Sequence, residues 1–202
     1  MPSGEALHKK GQDGVQLAKR WLESTSRAEV YWDVPSEVAE RQLTFKWHDG
    51  TTFALDIGGI MLGGEKSGET FVGEVKNYKN ASDLSTHYDS FLAKCYLALK
   101  EAPRSCNNFL WISWAPHRAN TWDAQTSPET IKTALIKHKQ KVFGVSTKEQ
   151  ADAAIGRDES IITDLSSRLM PLVISDQQID HLSMSVEHLG VLRRWITENP
   201  SS

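Results

Sequence analysis

Little in this chain supplies a covalent or membrane anchor. Only two cysteines occur in 202 residues, Cys95 and Cys106, at no spacing that suits a metal. That excludes a disulfide-built framework and makes a reducing cytoplasm the simplest setting. No apolar run approaches the roughly 18 residues that a membrane span needs. The opening stretch, MPSGEALHKKGQDG, is polar and lacks the apolar segment of a signal peptide. No membrane partner is expected. Neither sign of charge dominates: 23 Lys and Arg stand against 26 Asp and Glu, a net charge of −3. A histone-like or polybasic binder is thereby excluded. A nucleic-acid enzyme is not, because a local basic groove suffices and carboxylates at a metal site count against the total. No G-x-x-x-x-G-K-[ST] run occurs, so the chain carries no signature of a helicase or ATPase motor. Internal repeats and long linkers are also missing.

What is present reads as one globular α/β domain over residues 1–202, with a core at about 11–114 and a C-terminal extension at about 115–202. The chain is long enough to bury a substantial core, and 39% hydrophobic with 24% charged residues is ordinary for a folded protein. Seven tryptophans are expected in the core and along groove walls.

Residues 1 to 10 read as a loose lead-in. Val15, Ala18 and Leu22, with Leu17 and Trp21, predict a helix from Gly11 to about Ser24, with Asp13 as its N-cap. Glu29 to Val34 reads as a short strand stopped by Pro35. Three strands follow in an antiparallel meander: Gln42 to Trp47, Thr52 to Leu62 and Glu69 to Lys76. His48-Asp49-Gly50 and the run Gly63 to Gly68 are the turns, and Gly58-Gly59 marks a bulge or bend in the second strand. A helix is predicted from Ser82 to Lys100, capped by Ser82 or Asp83. Its buried stripe is Leu84, Tyr88, Phe91, Leu92, Cys95 and Leu99. FLWISW, from Phe109 to Trp114, reads as a buried strand. Pro128 to Lys137 is a helix capped by Ser127, and Thr147 to Ser167 is helical. Lys141 to Val145 and Leu169 to Ile174 are strand candidates. A final amphipathic helix, Val186 to Glu198, is expected to turn Leu189, Leu192, Trp195 and Ile196 inward.

The stretch that carries chemistry is TTFALDIGGIMLGGEKSGETFVGEVKNYK, from Thr52 to Lys79. It sets Asp56 in one apolar run and Glu74-Val75-Lys76 at the end of the next. Side chains alternate along a strand, so Glu74 and Lys76 face together while Val75 offers its carbonyl. Register across the Gly63–Gly68 turn is expected to bring Asp56 close to Glu74. Acids between apolar residues in a sheet are costly unless paired or metal-bound. Mg²⁺ prefers oxygen ligands and keeps several waters, so two carboxylates and one main-chain carbonyl are a sufficient protein contribution. The bland alternative pairs Asp56 with Lys76 and leaves Glu74 and Lys76 on a solvated edge strand.

This segment resembles the PD-(D/E)xK nuclease superfamily. Asp56 matches the aspartate of that motif, and Glu74-Val75-Lys76 matches its (D/E)xK, between a preceding and a following helix. The resemblance covers about Gly11 to Trp114. It implies a restriction endonuclease-like αβββαβ core, a mixed central sheet flanked by helices. It also implies an Mg²⁺- or Mn²⁺-dependent nuclease that hydrolyses DNA phosphodiester bonds. Asp56, Glu74 and the Val75 carbonyl would hold the metal, and Lys76 would position the attacking water and stabilise negative charge. Many relatives carry a glutamate on the first helix; here GQDGVQLAKRW has none before Glu23, and Gln16 is the candidate third ligand. The resemblance extends to stand-alone nuclease subunits of bacterial restriction or phage-defence systems, with specificity or activation supplied by a homodimer or a partner protein. The rival expectation is a non-catalytic nuclease-fold subunit that binds DNA or protein in a larger complex. RNA as the substrate is a third.

Beyond the motif, Lys79, His87 and Lys94 are candidates for phosphate contact, or else solvated helix positions. Arg118 lies among Trp111, Trp114, His117 and Trp122 in a segment that reads as a stacking and phosphate-contact surface or as a packed loop. Lys132, Lys137, His138, Lys139 and Lys141 form a basic run whose default reading is a solvated face.

Overall fold

The computed structural model describes residues 4–34, 36–78 and 83–199. A five-stranded mixed sheet in the order β1-β4-β5-β6-β7 organises them. The strands are β1 (Ala28–Asp33), β4 (Ile57–Met61), β5 (Thr70–Lys76), β6 (Asn108–Ser113) and β7 (Leu169–Val173); β2 (Thr44–Lys46) and β3 (Thr52–Ala54) form a separate hairpin. β1, β4 and β5 pair antiparallel, and β5, β6 and β7 pair parallel. β5, which carries Glu74 and Lys76, is therefore the central strand, and the solvated-edge alternative does not hold.

Both faces of the sheet are covered. Helix α1 (Gly4–Ser24) lays Val15, Ala18 and Leu22 on Val30, Ile57, Phe71, Val75, Leu110 and Ile112. Helix α3 (Leu84–Glu101) packs Tyr88, Phe91, Leu92 and Cys95 on Val72, Phe109 and Trp111 of the other face. The period-2 alternation of β5 is what assigns Phe71 and Val75 to α1, and Val72 and Glu74 to α3. Continuous burial of β6 along its whole length follows from this double cover.

The second expected strand is not one strand. It breaks at Leu55–Asp56: β3 turns away to pair with β2, and β4 enters the main sheet. Gly58 and Gly59 are regular paired positions, and the irregularity lies opposite, between Val30 and Trp32 of β1. The glycines serve close approach: a Cβ on Gly59 would lie 1.9 Å from the Glu29 carbonyl oxygen. A short helix, α2 (Glu37–Leu43), capped by Ser36, precedes β2 and buries Ala39 and Leu43.

α1 begins at Gly4, so Asp13 lies within the helix and is not its cap. Asp83 occupies the N-cap position of α3 but makes no side-chain capping bond; Ser82 and Lys79 lie outside the described residues. Helix α4 (Pro128–Lys137) is capped by Ser127 as expected. Lys139–Phe143 is a short helix, α5, where a strand is expected; only Val142 is buried, and Gly144 at φ +68° ends it. The helical stretch before β7 is two helices, α6 (Lys148–Arg157) and α7 (Glu159–Arg168). β7 closes the sheet on the β6 side, so the C-terminal residues complete the core rather than extend it. Its Pro171 is tolerated because β7 is an edge strand.

After α8 (Asp176–Leu182), α9 (Val186–Glu198) lies against polar positions of α1. Gln16, Lys19, Arg20 and Glu23 line the groove between them with Leu189. Leu189 and Leu192 are only half-buried, and Trp195 and Ile196 are 60% and 49% exposed, contrary to the inward stripe expected. The facing helix offers charge rather than an apolar stripe. Among the described residues, no helix is long and apolar enough to cross a membrane.

Candidate metal centre

The break between β3 and β4 positions Asp56. Its backbone N–H donates to the Gly73 carbonyl at 2.8 Å, and its carbonyl accepts from the Val34 N–H at 3.1 Å. The side chain then turns across to β5, where Oδ2 accepts the Val75 N–H at 2.7 Å. Asp56 thus continues the β4–β5 pairing with a carboxylate in place of a main-chain acceptor. N–H and C=O of one extended residue point to the same side of a strand. The Val75 carbonyl is therefore directed toward Asp56, while the Lys76 carbonyl turns to the opposite side and accepts from the Trp114 N–H.

Glu74, only 6% exposed, points into the face covered by α3. Lys76 shares that face, and its Nζ lies 2.6 Å from Glu74 Oε1. A second lysine reaches the same carboxylate from α3. Lys94 Nζ donates to Glu74 Oε2 at 2.9 Å and Oε1 at 3.1 Å, and to the Ala54 carbonyl at 3.3 Å. Lys94 is expected to contact phosphate, but its ammonium is directed inward onto Glu74.

The two acids are electrostatically unequal. Burial raises the Asp56 carboxyl, the Glu74 charge raises it further, and together they lift it to about 6 against the pull of Lys76, the Val75 N–H and Lys94. Burial also acts to raise Glu74, but Lys94 and Lys76 outweigh it and hold Glu74 below the usual carboxylate range. Lys76 is the mirror case: burial acts to lower it, and Glu74 and Asp56 hold it above the usual lysine range. The site therefore contains a well-compensated glutamate, a firmly protonated lysine and an under-compensated aspartate.

The donor set fits a hard divalent cation. Asp56, Glu74 and the Val75 carbonyl supply oxygen only, and a raised carboxyl beside a second carboxylate marks negative charge that a cation would relieve. Among the described residues, no group of three or more His, Cys, Asp or Glu side chains converges on one point. An ion held here would therefore keep several waters, as Mg²⁺ does.

Gln16 is placed elsewhere. α1 covers the Val75 face of the sheet, and the exposed Gln16 donates its Nε2 to Asp33 Oδ2 at 2.7 Å, with Lys19 3.5 Å from Oδ1. The helix does approach the end of β5, where a Cβ on Gly14 would come within 2.7 Å of Asn77 Cβ.

His87 lies near the centre, half-buried, with its ring 5.6 Å from that of Tyr78. Burial and then the Lys76 charge push the imidazole below its usual value.

Arg118 is not part of the centre. Its Nη2 donates to Asp89 Oδ1 at 2.5 Å and to the Ser85 carbonyl at 3.2 Å, and Lys137 holds Asp89 Oδ2 at 2.7 Å. Asp89 is 4% exposed, so this is a staple of the loop after β6 onto α3 and α4. Of the expected stacking surface, Trp111 and His117 are interior, while Trp122 is 38% exposed. Trp111 is fully buried, and His117 packs between Tyr88 and Trp111, its imidazole pushed down to about 4 by burial and by Arg118. The Trp114 Nε1 donates to Asp176. In the basic run, Lys132 pairs with Glu159, Lys137 with Asp89, and Lys141 lies over the Trp47 ring.

Comparison with protein-family models, curated proteins and solved structures found no significant match to this chain.

Proposed function

We propose that this protein is a divalent-cation-dependent nuclease that hydrolyses DNA phosphodiester bonds, with a restriction endonuclease-like core of the PD-(D/E)xK type. One observation carries the reading. Asp56, held on the Val75 N–H at the break before β4, is raised to about 6 first by burial and then by the Glu74 charge, with Lys76 2.6 Å from Glu74 on the central strand. A merely structural acid pair gains nothing from such repulsion.

Asp56, Glu74 and the Val75 carbonyl would hold Mg²⁺ or Mn²⁺. The bound ion supplies polarisation of a phosphoryl oxygen and activation of water. The Val75 N–H fixes the Asp56 carboxylate in orientation before any ligand arrives. Lys76, held protonated by the two acids, cannot serve as the base. It donates to the attacking water or to a non-bridging phosphate oxygen and stabilises charge as it develops. The enclosing α3 limits water around Glu74 and strengthens these interactions.

A second reading is favoured by a specific contact. Glu74 already engages two lysines, as an ion cluster in a non-catalytic nuclease-fold subunit would. The two readings separate on incubation with supercoiled and linear DNA in Mg²⁺ or Mn²⁺, beside Asp56→Ala and Lys76→Ala, with RNA as a parallel substrate. Cleavage by the wild type and none by the variants is expected on DNA. Identical behaviour of all three proteins removes the enzymatic reading, and DNA retention without cleavage leaves the binding subunit. A partner protein or a second copy as the source of specificity, in a restriction or phage-defence setting, belongs to the same proposal.

A further inference from the structure

We infer that Lys94 is a tethered counter-ion of the metal centre, an ammonium that occupies Glu74 until a divalent cation is taken up and then withdraws from it. This rests on the metal-dependent reading above and adds a positioning residue to it.

Three oxygens converge on Lys94 Nζ: both carboxylate oxygens of Glu74, at 2.9 and 3.1 Å, and the Ala54 carbonyl, at 3.3 Å. That is how oxygens surround a cation, and the cation here is covalently attached to α3. The oxygens come from Glu74 on β5 and from the last residue of β3, two positions before Asp56. The ammonium thus sits on the same carboxylate that the metal-dependent reading assigns to the ion. The Lys94 stem passes near the Phe53 ring, with Nζ 6.0 Å from its centroid, so the hairpin helps aim it.

Charge balance gives the arrangement its purpose. Asp56 and Glu74 face Lys76 and Lys94, so two acids meet two bases and the centre is close to neutral without an ion. The chemistry proposed above assigns Lys76 to the attacking water or a phosphate oxygen; Lys94 is not part of the strand motif. A dication added to this set meets excess positive charge within a few ångströms. Lys94 is the member able to leave, because it projects from a helix by a flexible four-carbon stem. Its side chain is already 17% exposed.

The sign of the prediction distinguishes this role from simple support. A counter-ion competes with the metal, so removing its charge tightens metal binding. A residue that only holds Glu74 in place loosens metal binding when removed. Lys94→Met keeps the stem and deletes the charge; Lys94→Gln keeps a donor and deletes the charge. Mn²⁺ binding, read by electron paramagnetic resonance of the free ion at pH 7.5 without nucleic acid, is expected to tighten at least about tenfold in both variants. Lys94→Arg should remain near wild type. Wild-type protein supplies a check that needs no substitution. Acetylation of Lys94 by an amine-reactive ester, followed by mass spectrometry, should rise several-fold when Mn²⁺ is added, while Lys132 stays unchanged. Equal or weaker Mn²⁺ binding in the Met and Gln variants, or labelling of Lys94 indifferent to Mn²⁺, overturns the counter-ion role and leaves the nuclease reading standing. No Mn²⁺ bound by any form, wild type included, overturns both.

Discussion

The carboxylate of Asp56 accepts the main-chain N–H of Val75 at 2.7 Å, so an acid from the end of one strand completes the hydrogen bonding of the next. The same bond holds the acid within the field of Glu74 although their charges repel. Burial first and the Glu74 charge second, against the pull of the Val75 N–H, make Asp56 carry a proton more readily than an ordinary aspartate, with a measurable consequence for stability.

The Asp56 carboxyl is lifted from 3.8 to about 6, so the folded state binds its proton more tightly than the unfolded chain does. Stability attributable to this group is greatest below the unfolded value and declines as pH rises through the folded one. Asp56→Asn keeps an acceptor for Val75 and removes the charge. Without metal at pH 7.5 it should be more stable than wild type by about 1–3 kcal/mol, a rise of roughly 2–8 °C in Tm. The gain should vanish near pH 3.5, and added Mn²⁺ should stabilise only the wild type. Melting curves at the two pH values decide it; a variant less stable at pH 7.5 would contradict the electrostatic account.

Glu74 is the opposite case. Its folded pKa is depressed, so its contribution is present above the unfolded value and is lost as pH falls. Glu74→Gln removes the carboxylate that both Lys76 and Lys94 contact and leaves Asp56 to offset the two charges in a mostly buried site. A loss of about 3–5 kcal/mol is expected at pH 7.5, read as a lower urea midpoint at unchanged slope. The variant should also show no cleavage in Mg²⁺.

Arg118 and Asp89 separate structure from nucleic-acid contact. Asp89→Asn removes the negative partner of Arg118 and Lys137 and should cost about 3 kcal/mol. Arg118→Ala should lower stability while leaving the salt dependence of DNA binding unchanged. A reduced salt slope for Arg118→Ala would return this residue to the nucleic-acid surface.

Gly59 tests the sheet that carries the site. A methyl group there meets the Glu29 carbonyl oxygen at 1.9 Å and the Phe71 ring at 3.0 Å, so the paired backbone must shift. Gly59→Ala should cost about 4 kcal/mol or more and separate β1 from β4. Gly190→Ala, with nothing within 4 Å of the added carbon, should instead stabilise α9 by about 0.5–1 kcal/mol. Circular dichroism melts of the two proteins compare them directly.

Local pattern was legible wherever one residue's neighbours along the chain carry the signal. The apolar spacing of α1 and α3, the continuous run of β6, the Ser127-Pro128 start of α4 and the shared side of Glu74 and Lys76 all follow from helical or strand periodicity. Where the signal was a competition between partners, it was not legible. The Asp56 break looked like the middle of one strand because β3 and β4 are both apolar; only the choice of β2 as partner for β3 divides them. Leu189, Leu192, Trp195 and Ile196 form an amphipathic helix by spacing, yet the burial of that stripe depends on what α1 presents to it.

The sequence by itself determined the chemistry available: an aspartate, a glutamate and a lysine in strand context, with alternation placing two of them together. Tertiary structure decided their electrostatic state. Parallel pairing with β6 made β5 central, α3 buried Glu74, and a turn of that helix brought Lys94 onto it from 20 residues away. No local pattern encodes that contact, because it depends on which face of a helix meets which face of a sheet. The low-dielectric layer between them is what makes one added ammonium matter.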